Sequence, residues 1–403
     1  MSKTTVIVGA GQAGLQTAVS LRQGGYEDQL LLLGGEKHLP YQRPPLSKQI
    51  LKGEFDADRC TLRGADFLAA QKIDFRPNTR AEALLADTQQ LRLADGQLLS
   101  YDALVIASGA RLNRLHLPGS ELDGVFYLRT LDDALALRER LQAQPRVLVA
   151  GAGYIGLEVA ASARALGCEV LLVEAQQQLM QRSALPAIAD FMRARHEQEG
   201  VTFHFGRKLA SIHGQHGVEG VRLDDGSELD ADLVIKGIGV RPDLRWLDGS
   251  GLATARGILV DDQCRTSLPH VYATGDCAET QHPLYAQPVL LESVQNAVSQ
   301  GKICAAAILG QNPSYSDVPW FWSEQYDCRI QLAGLPQPQD ELVVRSDAPN
   351  SLTVLALGPD RLHAIQCINA PRDYMAARKI IAMGDTIDRD RLRNPKLELK
   401  ELL

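Results

Sequence analysis

Residues able to hold a pair of phosphates occur twice in this chain, in the same order. Val6-Ile-Val-Gly9-Ala-Gly11-Gln-Ala13-Gly14-Leu-Gln16-Thr-Ala18 recurs as Val147-Leu-Val-Ala-Gly151-Ala-Gly153-Tyr154-Ile-Gly156-Leu-Glu158-Val-Ala160. Each copy is a β-branched run, then the G-x-G-x-x-G spacing, then apolar residues at helical spacing. Glycines at these positions let the backbone pass close to a pyrophosphate. The N-terminus of the helix that follows supplies N–H groups and the positive end of its dipole. Two copies therefore predict two separate dinucleotide-binding units, each opening strand–turn–helix–strand.

The two units differ where the adenosine ribose would be read. In the second, the apolar run Glu169–Val173 ends at Glu174, 18 positions after Gly156. A carboxylate there accepts hydrogen bonds from the ribose 2′-OH and repels a 2′-phosphate, which selects NADH over NADPH. Ala175 and three glutamines follow, with no arginine to hold a phosphate. In the first unit the run Gln29–Leu33 leads into Gly34-Gly35-Glu36. Glu36 is the only acid at hand and is read as the ribose ligand. Different ribose sites suggest different ligands, FAD in the first unit and NADH in the second. Val271-Tyr-Ala-Thr274-Gly275-Asp276 supports the flavin, as a strand running into a tight turn with an acid at its tip. Asp276 can accept hydrogen bonds from ribityl hydroxyls. The stretch Glu292-Ser-Val294-Gln-Asn-Ala begins a helix whose N-terminus suits the flavin O2 and N1, where negative charge develops.

Behind these residues the sequence predicts an α/β fold. Its core is two Rossmann-like dinucleotide-binding domains, glutathione-reductase-like, followed by a small α+β C-terminal domain. Tyr101-Asp-Ala-Leu-Val-Ile-Ala-Ser-Gly109-Ala-Arg111 and Asp232-Leu-Val-Ile-Lys-Gly237-Ile-Gly239-Val-Arg241-Pro242 are apolar strands ending in small residues, one before and one after the second unit. The expected boundaries are 1–110 with 241–318 for FAD, 111–240 for NADH and 319–403 for the third domain. The runs Arg329–Leu332, Glu341–Val344 and Leu352–Leu357 give the third domain its strands, and a charged helical tail ends it.

Composition narrows the class further. A chain of 403 residues, 45% hydrophobic and 23% charged, suits two or three soluble domains. Its net charge of −7 argues against a nucleic-acid binder. No apolar run approaches the ~20 residues of a membrane helix. Met1-Ser-Lys-Thr-Thr runs straight into a strand and leaves no room for a signal peptide, so a cytoplasmic location is expected. The seven cysteines, Cys60, Cys168, Cys264, Cys277, Cys304, Cys328 and Cys367, form no C-x-x-C pair and read as reduced thiols. His213 and His216 sit in a Gly-flanked turn and read as a solvated hairpin, so no metal site is expected.

With Ala-Ser-Gly109, Gly237-Ile-Gly-Val-Arg-Pro242 and Ala273-Thr-Gly-Asp276, the two glycine turns resemble the flavoprotein reductases that carry two dinucleotide-binding domains. Two narrower motifs are Pro40-Tyr41-Gln-Arg43-Pro44-Pro45-Leu46-Ser47-Lys48 and Pro319-Trp320-Phe321-Trp322-Ser323-Glu324-Gln325. They resemble the ferredoxin reductases of bacterial oxygenase systems, putidaredoxin reductase and the reductases of biphenyl and toluene dioxygenases among them. The resemblance spans essentially the whole chain. It implies that the turn at Ala13 and Gly14 holds the FAD pyrophosphate, with Arg43 and Pro45 from the adjoining motif. It implies contacts to FAD from Ala81, Arg129, Asp276, Val294 and Trp322. It also puts Lys48 beside flavin N5, close to Glu158, and Tyr154 at the edge of the nicotinamide pocket. Relatives often carry Asp or Glu where Gly35 stands here.

Disulfide reductases of this fold carry C-x-x-x-x-C after the first unit, and NADH oxidases and peroxidases carry one cysteine in the region of Pro40–Pro45. This chain has neither. The resemblance thus implies electrons entering from NADH and leaving FAD directly for a 2Fe-2S ferredoxin serving a monooxygenase or an aromatic-ring dioxygenase. A monomer or weak homodimer is expected. Two other readings stay open, a rubredoxin-type or nitrite-reductase-type partner and an NADH redox sensor like the apoptosis-inducing flavoprotein. A net-negative reductase needs a local basic surface for an acidic carrier. Lys302, Trp322 and the stretch Arg389, Arg391, Arg393, Lys396 are the candidates for it.

Overall fold

Leu30, Leu31, Leu32 and Leu33 are each exposed by 1% or less, because they occupy an inner strand of a parallel sheet covered on both faces. In the computed structural model, residues 3–285, 288–346, 349–386 and 388–403 are described. Met1 and Ser2, on which the reading of the N-terminus bears, lie outside them. Site-bearing elements are β1 (Thr4–Val8), α1 (Gln12–Gln23), β2 (Gln29–Leu33), β3 (Arg146–Ala150) and α2 (Tyr154–Ala165). Further along are β4 (Glu169–Glu174), α3 (Pro186–Gln198), β5 (Val271–Ala273), α4 (Val294–Ile308) and β6 (Trp320–Gln325).

The chain divides into two compact units, each drawn from three stretches. The first comprises Met1–Gln42, Cys60–Arg111 and Val240–Pro319. Its sheet has five parallel strands in the order β5, Ala103–Ile106, β1, β2, Asp74–Arg76. Val8 pairs with both Leu33 and Ile106, so the sheet's centre lies directly behind the first glycine turn. Helices α1 and α4 pack on one another against this sheet, and Gly301 lets α4 pass close to the Ala13 carbonyl. The antiparallel meander Ala81–Leu85, Gln90–Leu93, Leu98–Ser100 follows the fifth strand in sequence.

The second unit comprises Arg43–Arg59, Leu112–Gly239 and Trp320–Leu403. It holds a second parallel sheet, ordered Val201–Phe205, β4, β3, Leu233–Lys236, Val125–Phe126. It also holds an antiparallel sheet, ordered β6, Cys328–Gly334, Leu362–Ile368, Leu352–Leu357, Glu341–Ser346. The helix Pro371–Met383 packs on this last sheet, and the short helix Arg389–Arg393 follows in the tail. Strand Leu362–Ile368 lies at the sheet's centre, though its half-buried His363 and buried Gln366 hide its apolar run from the sequence. None of the helices among the described residues is long and apolar enough to cross a membrane.

Candidate functional site

In the first unit the turn between β1 and α1 is closed around its glycines. Gly9 has φ +111°, and a Cβ there would meet the Ala107 carbonyl oxygen at 2.1 Å. A Cβ on Gly14 would lie 1.9 Å from the Gly9 carbonyl oxygen, so only glycine lets helix and strand approach this closely. Gly11 is different, because a Cβ there would meet nothing within 4 Å. No side chain caps α1, which leaves its first turn to an anion in that open space.

Of the other flavin candidates of this unit, the Asp276 turn meets the same helix start. Gly275 has φ +76°, and its missing Cβ would touch the Ala13 methyl at 2.9 Å, which brings the Thr274-Gly275-Asp276 turn against α1. Gln300 on α4 accepts the Gly275 amide hydrogen at 2.7 Å and that of the Asn296 side chain at 3.3 Å. Val294 is the first residue of α4, capped by the Ser293 hydroxyl, which accepts the Asn296 amide hydrogen. Glu36 follows β2, and its carboxylate accepts the Tyr41 hydroxyl at 2.6 Å. Ala81 opens the meander and is buried.

The second unit repeats the turn almost atom for atom. A Cβ on Gly156 would lie 2.0 Å from the Gly151 carbonyl oxygen, one on Gly151 would lie 2.5 Å from Gly237, and Gly153 faces open space. No side chain caps α2. At the end of β4 the Glu174 carboxylate accepts the Ala152 amide at 2.6 Å through one oxygen and the Gln176 amide at 2.8 Å through the other. Both oxygens keep a lone pair for a ribose hydroxyl. The Gly239 carbonyl accepts the Asn113 amide at 3.1 Å on the far side of the turn. Tyr154 opens α2 with its ring 4.7 Å from that of Phe321, and burial pushes its phenol up to about 12.

One turn into α2, Glu158 lies at the centre of a buried polar cluster. Its Oε2 accepts from Lys48 Nζ at 2.8 Å and from the Ser47 hydroxyl at 2.5 Å, and its Oε1 accepts from the Ser323 hydroxyl at 2.6 Å. Lys48 is 8% exposed and Glu158 3%. Ser162, one turn further along α2, donates to the Ser47 carbonyl at 2.7 Å. These bonds draw the Arg43–Arg59 segment into the second unit. Arg43 donates to the Arg129 carbonyl at 2.5 Å, so two expected flavin residues of this unit also meet, and buried Pro45 lies in the 3₁₀ turn between Arg43 and Lys48. Trp322 is half-buried on β6, its ring 5.6 Å from that of Trp320. Nothing in the sequence marked Ser47, Ser162 or Ser323 for a role, since a serine is unremarkable at any position.

The C-terminal arginines differ from the expectation of a free basic rim. Arg389 and Arg393 both pair with Glu341, and Arg391 donates to the Glu401 carbonyl, so they tie the tail to the edge strand Glu341–Ser346. Lys302 is exposed on α4. All seven cysteines are buried and none is in a disulfide. Burial pushes the thiols of Cys277 and Cys328 up to about 11 and that of Cys367 up to about 12, away from the reactive thiolate. Among the described residues, no group of three His, Cys, Asp or Glu side chains could hold a metal ion.

Two uncapped helix starts, each facing open space beside glycines that tolerate no Cβ, suit two pyrophosphates. The Asp276 turn at one of them suits a polyhydroxylated chain, so these residues fit FAD and a nicotinamide dinucleotide. The fold and these turns define a dinucleotide-dependent oxidoreductase. Residues 3–301 match the pyridine nucleotide-disulphide oxidoreductase family and residues 320–403 match the reductase C-terminal family. The chain belongs to the pyridine nucleotide-disulphide oxidoreductases, which use FAD and NAD(P)H. It is 38% identical to rhodocoxin reductase of Rhodococcus erythropolis over 98% of this chain and 93% of that one. It is likewise 38% identical to the ferredoxin–NAD(+) reductase component of the anthranilate 1,2-dioxygenase system of Burkholderia cepacia, covering 99% and 98%. Among solved structures, the covalent putidaredoxin reductase–putidaredoxin complex matches with a TM-score of 0.96 at 35% identity, over 99% of this chain and 98% of that one.

Proposed function

We propose that the protein carries electrons from NADH, through bound FAD, to a 2Fe-2S ferredoxin serving an oxygenase. The observation that carries this reading is the buried Lys48–Glu158 pair, in the unit of the second nucleotide turn, in a chain whose thiols are all buried. Near full-length likeness to reductases named for ferredoxin, rhodocoxin and putidaredoxin supports a small protein as the acceptor.

Bound FAD would supply the chemistry that links a two-electron hydride donor, NADH, to a one-electron acceptor. The chain's residues bind, orient and set charge. Gly9, Gly11, Ala13 and Gly14 take the FAD pyrophosphate, Glu36 its ribose, Ala81 its adenine, and Asp276 its ribityl hydroxyls. Val294 brings the start of α4 to the ring, and Arg43, Pro45, Arg129 and Trp322 complete the contacts. Gly151, Gly153 and Gly156 take the NADH pyrophosphate, Glu174 its ribose, Tyr154 borders the nicotinamide, and Gly239 is a further cofactor contact. Lys48 holds a positive charge at flavin N5, and Glu158 keeps that lysine in place. The domains on this reading are 1–110 with 241–318 for FAD, 111–240 for NADH and 319–403 at the C-terminus. The protein works in the cytoplasm, as a monomer or weak homodimer.

Bleaching of a 2Fe-2S ferredoxin by NADH and catalytic amounts of the yellow protein tests the proposal. A long-lived charge-transfer absorbance with every acceptor refused would favour a redox sensor instead. Rubredoxin belongs in the same screen, because a rubredoxin–NAD(+) reductase of Pseudomonas putida is 40% identical over 94% of this chain and 99% of its own.

A further inference from the structure

Glu158 as a carboxylate can only accept hydrogen bonds, and this fixes the polarity of everything attached to it. Ser323 therefore donates its hydroxyl hydrogen to Oε1. The lone pair left on Ser323 faces Gln325 Nε2 at 3.1 Å, which makes Gln325 the next donor. Gln325 Oε1 then faces His196 Nε2 at 2.8 Å, so Nε2 carries the ring hydrogen. Nδ1 is left bare and accepts from the Tyr326 hydroxyl at 3.1 Å. Turning the Gln325 amide over would set its oxygen against a hydroxyl whose hydrogen is already given away, so the assignment has one consistent solution.

Every inner member of this row is buried. Ser323 and His196 are 0% exposed and Gln325 is 1% exposed. Burial holds the imidazole neutral, with its pKa down to about 4, as the row requires. Glu158 comes from α2, Ser323 and Gln325 from one face of β6, and His196 from the last turn of α3. The groups facing Glu158 are Lys48, Ser47 and Ser323. At the far end Arg195 pairs with Glu199 and Asp327.

We propose that Tyr326, His196, Gln325 and Ser323 form a one-way chain of donors that holds the Glu158 carboxylate turned toward Lys48. Ser323 is the positioning residue of this device. A glutamine amide in the middle makes the chain an orienting one rather than a path for protons. Donors aligned in one direction polarise one another, which strengthens the last bond, the one to the carboxylate. The inference rests on the reading that Lys48 and Glu158 lie beside the flavin.

The test is the midpoint potential of bound FAD, titrated from about pH 5 to 9, in the wild type and in Ser323→Ala, Gln325→Met and Glu158→Gln. Ser323→Ala removes one hydrogen bond to a charged group, so the Glu158 carboxylate is held less firmly against Lys48. Its potential lies above that of the wild type across this range, because Lys48 is less fully compensated by a carboxylate no longer held against it. Gln325→Met breaks the chain one link further back and gives a smaller shift in the same direction. It decides the matter if Ser323→Ala does not fold. Glu158→Gln raises the potential throughout. A shift in Glu158→Gln with the chain variants superimposed on the wild type overturns the donor chain alone. No shift in any variant overturns the pair beside the flavin and the chain with it.

Discussion

One oxygen of Glu174 accepts the Ala152 amide hydrogen at 2.6 Å, so the acid ending β4 and the glycine turn before α2 hold each other in register. The ribose-reading group is thus preorganised by the loop that would receive the pyrophosphate. Removing it costs a ribose hydrogen bond of the charged kind, about 1.5–3 kcal/mol. Glu174→Ala should raise the KM for NADH by about ten- to a hundredfold while FAD content stays full. Steady-state kinetics with both nucleotides would decide, and a wild type that already prefers NADPH would contradict the assignment.

Lys48 is the cation of a buried pair whose carboxylate also accepts from Ser47 and Ser323. Lys48→Ala leaves Glu158 as a buried carboxylate without its counter-charge. Stopped-flow reduction of the flavin by NADH should slow, or the midpoint potential should fall. Unchanged values of both would refute a role beside the ring.

The seven thiols should be silent. The native protein should react with a disulfide reagent at none of them over minutes, and at all seven once unfolded. Replacing them with alanine or serine costs stability where packing is lost. Ferredoxin reduction per bound FAD should survive, and a flavin-replete variant without turnover would reveal a redox cysteine.

His196 predicts an acid-side loss of stability. Its folded pKa of about 4 lies below the ordinary 6.5, so between those values the unfolded chain binds the extra proton. The stabilisation is full above pH 6.5 and has gone by about pH 4, an amount of about 3 kcal/mol for this one group. Chemical denaturation of the wild type and of His196→Gln at neutral pH and near pH 5 should show the variant losing less. Parallel losses would place the acid sensitivity elsewhere.

Carrier docking gives the last expectation. With Arg389 and Arg393 committed to Glu341, the exposed Lys302 is the first residue to test. Lys302→Glu should raise the KM for ferredoxin and flatten its salt dependence, because a rim charge acts mainly on association. Ferricyanide reduction should barely change. Trp322→Ala should impair ferredoxin reduction more than ferricyanide reduction. Equal losses with both acceptors would assign either residue to the cofactor sites instead.

The glycine turns were legible in the sequence because their cause is local. Gly9, Gly14, Gly151 and Gly156 are fixed by backbone approaches within a few residues or one neighbouring strand. The leucine run of β2 was legible because a strand covered on both faces has no polar side to disguise it. Beyond Lys48, which the resemblance had put close to it, the surroundings of Glu158 were not. Ser47 and Ser323 stand 111 and 165 positions from it, and only the tertiary fold gives their hydroxyls a common target. The tail's arginines read as a basic patch because the sequence does not display their shared partner, Glu341.

The interleaving of the two units sets a timetable for synthesis. The first sheet has β1 at its centre, yet its edge strand β5 lies beyond residue 270. At about 5–20 residues per second, Ile106 would wait roughly ten to thirty seconds on the ribosome for Val271 to emerge. Meanwhile the strand Ala103–Ile106 offers an open, apolar edge, the kind of surface that recruits chaperones or pairs with a neighbouring chain. The Arg43–Arg59 segment waits longer still, since the serine that completes the Glu158 cluster emerges only with β6.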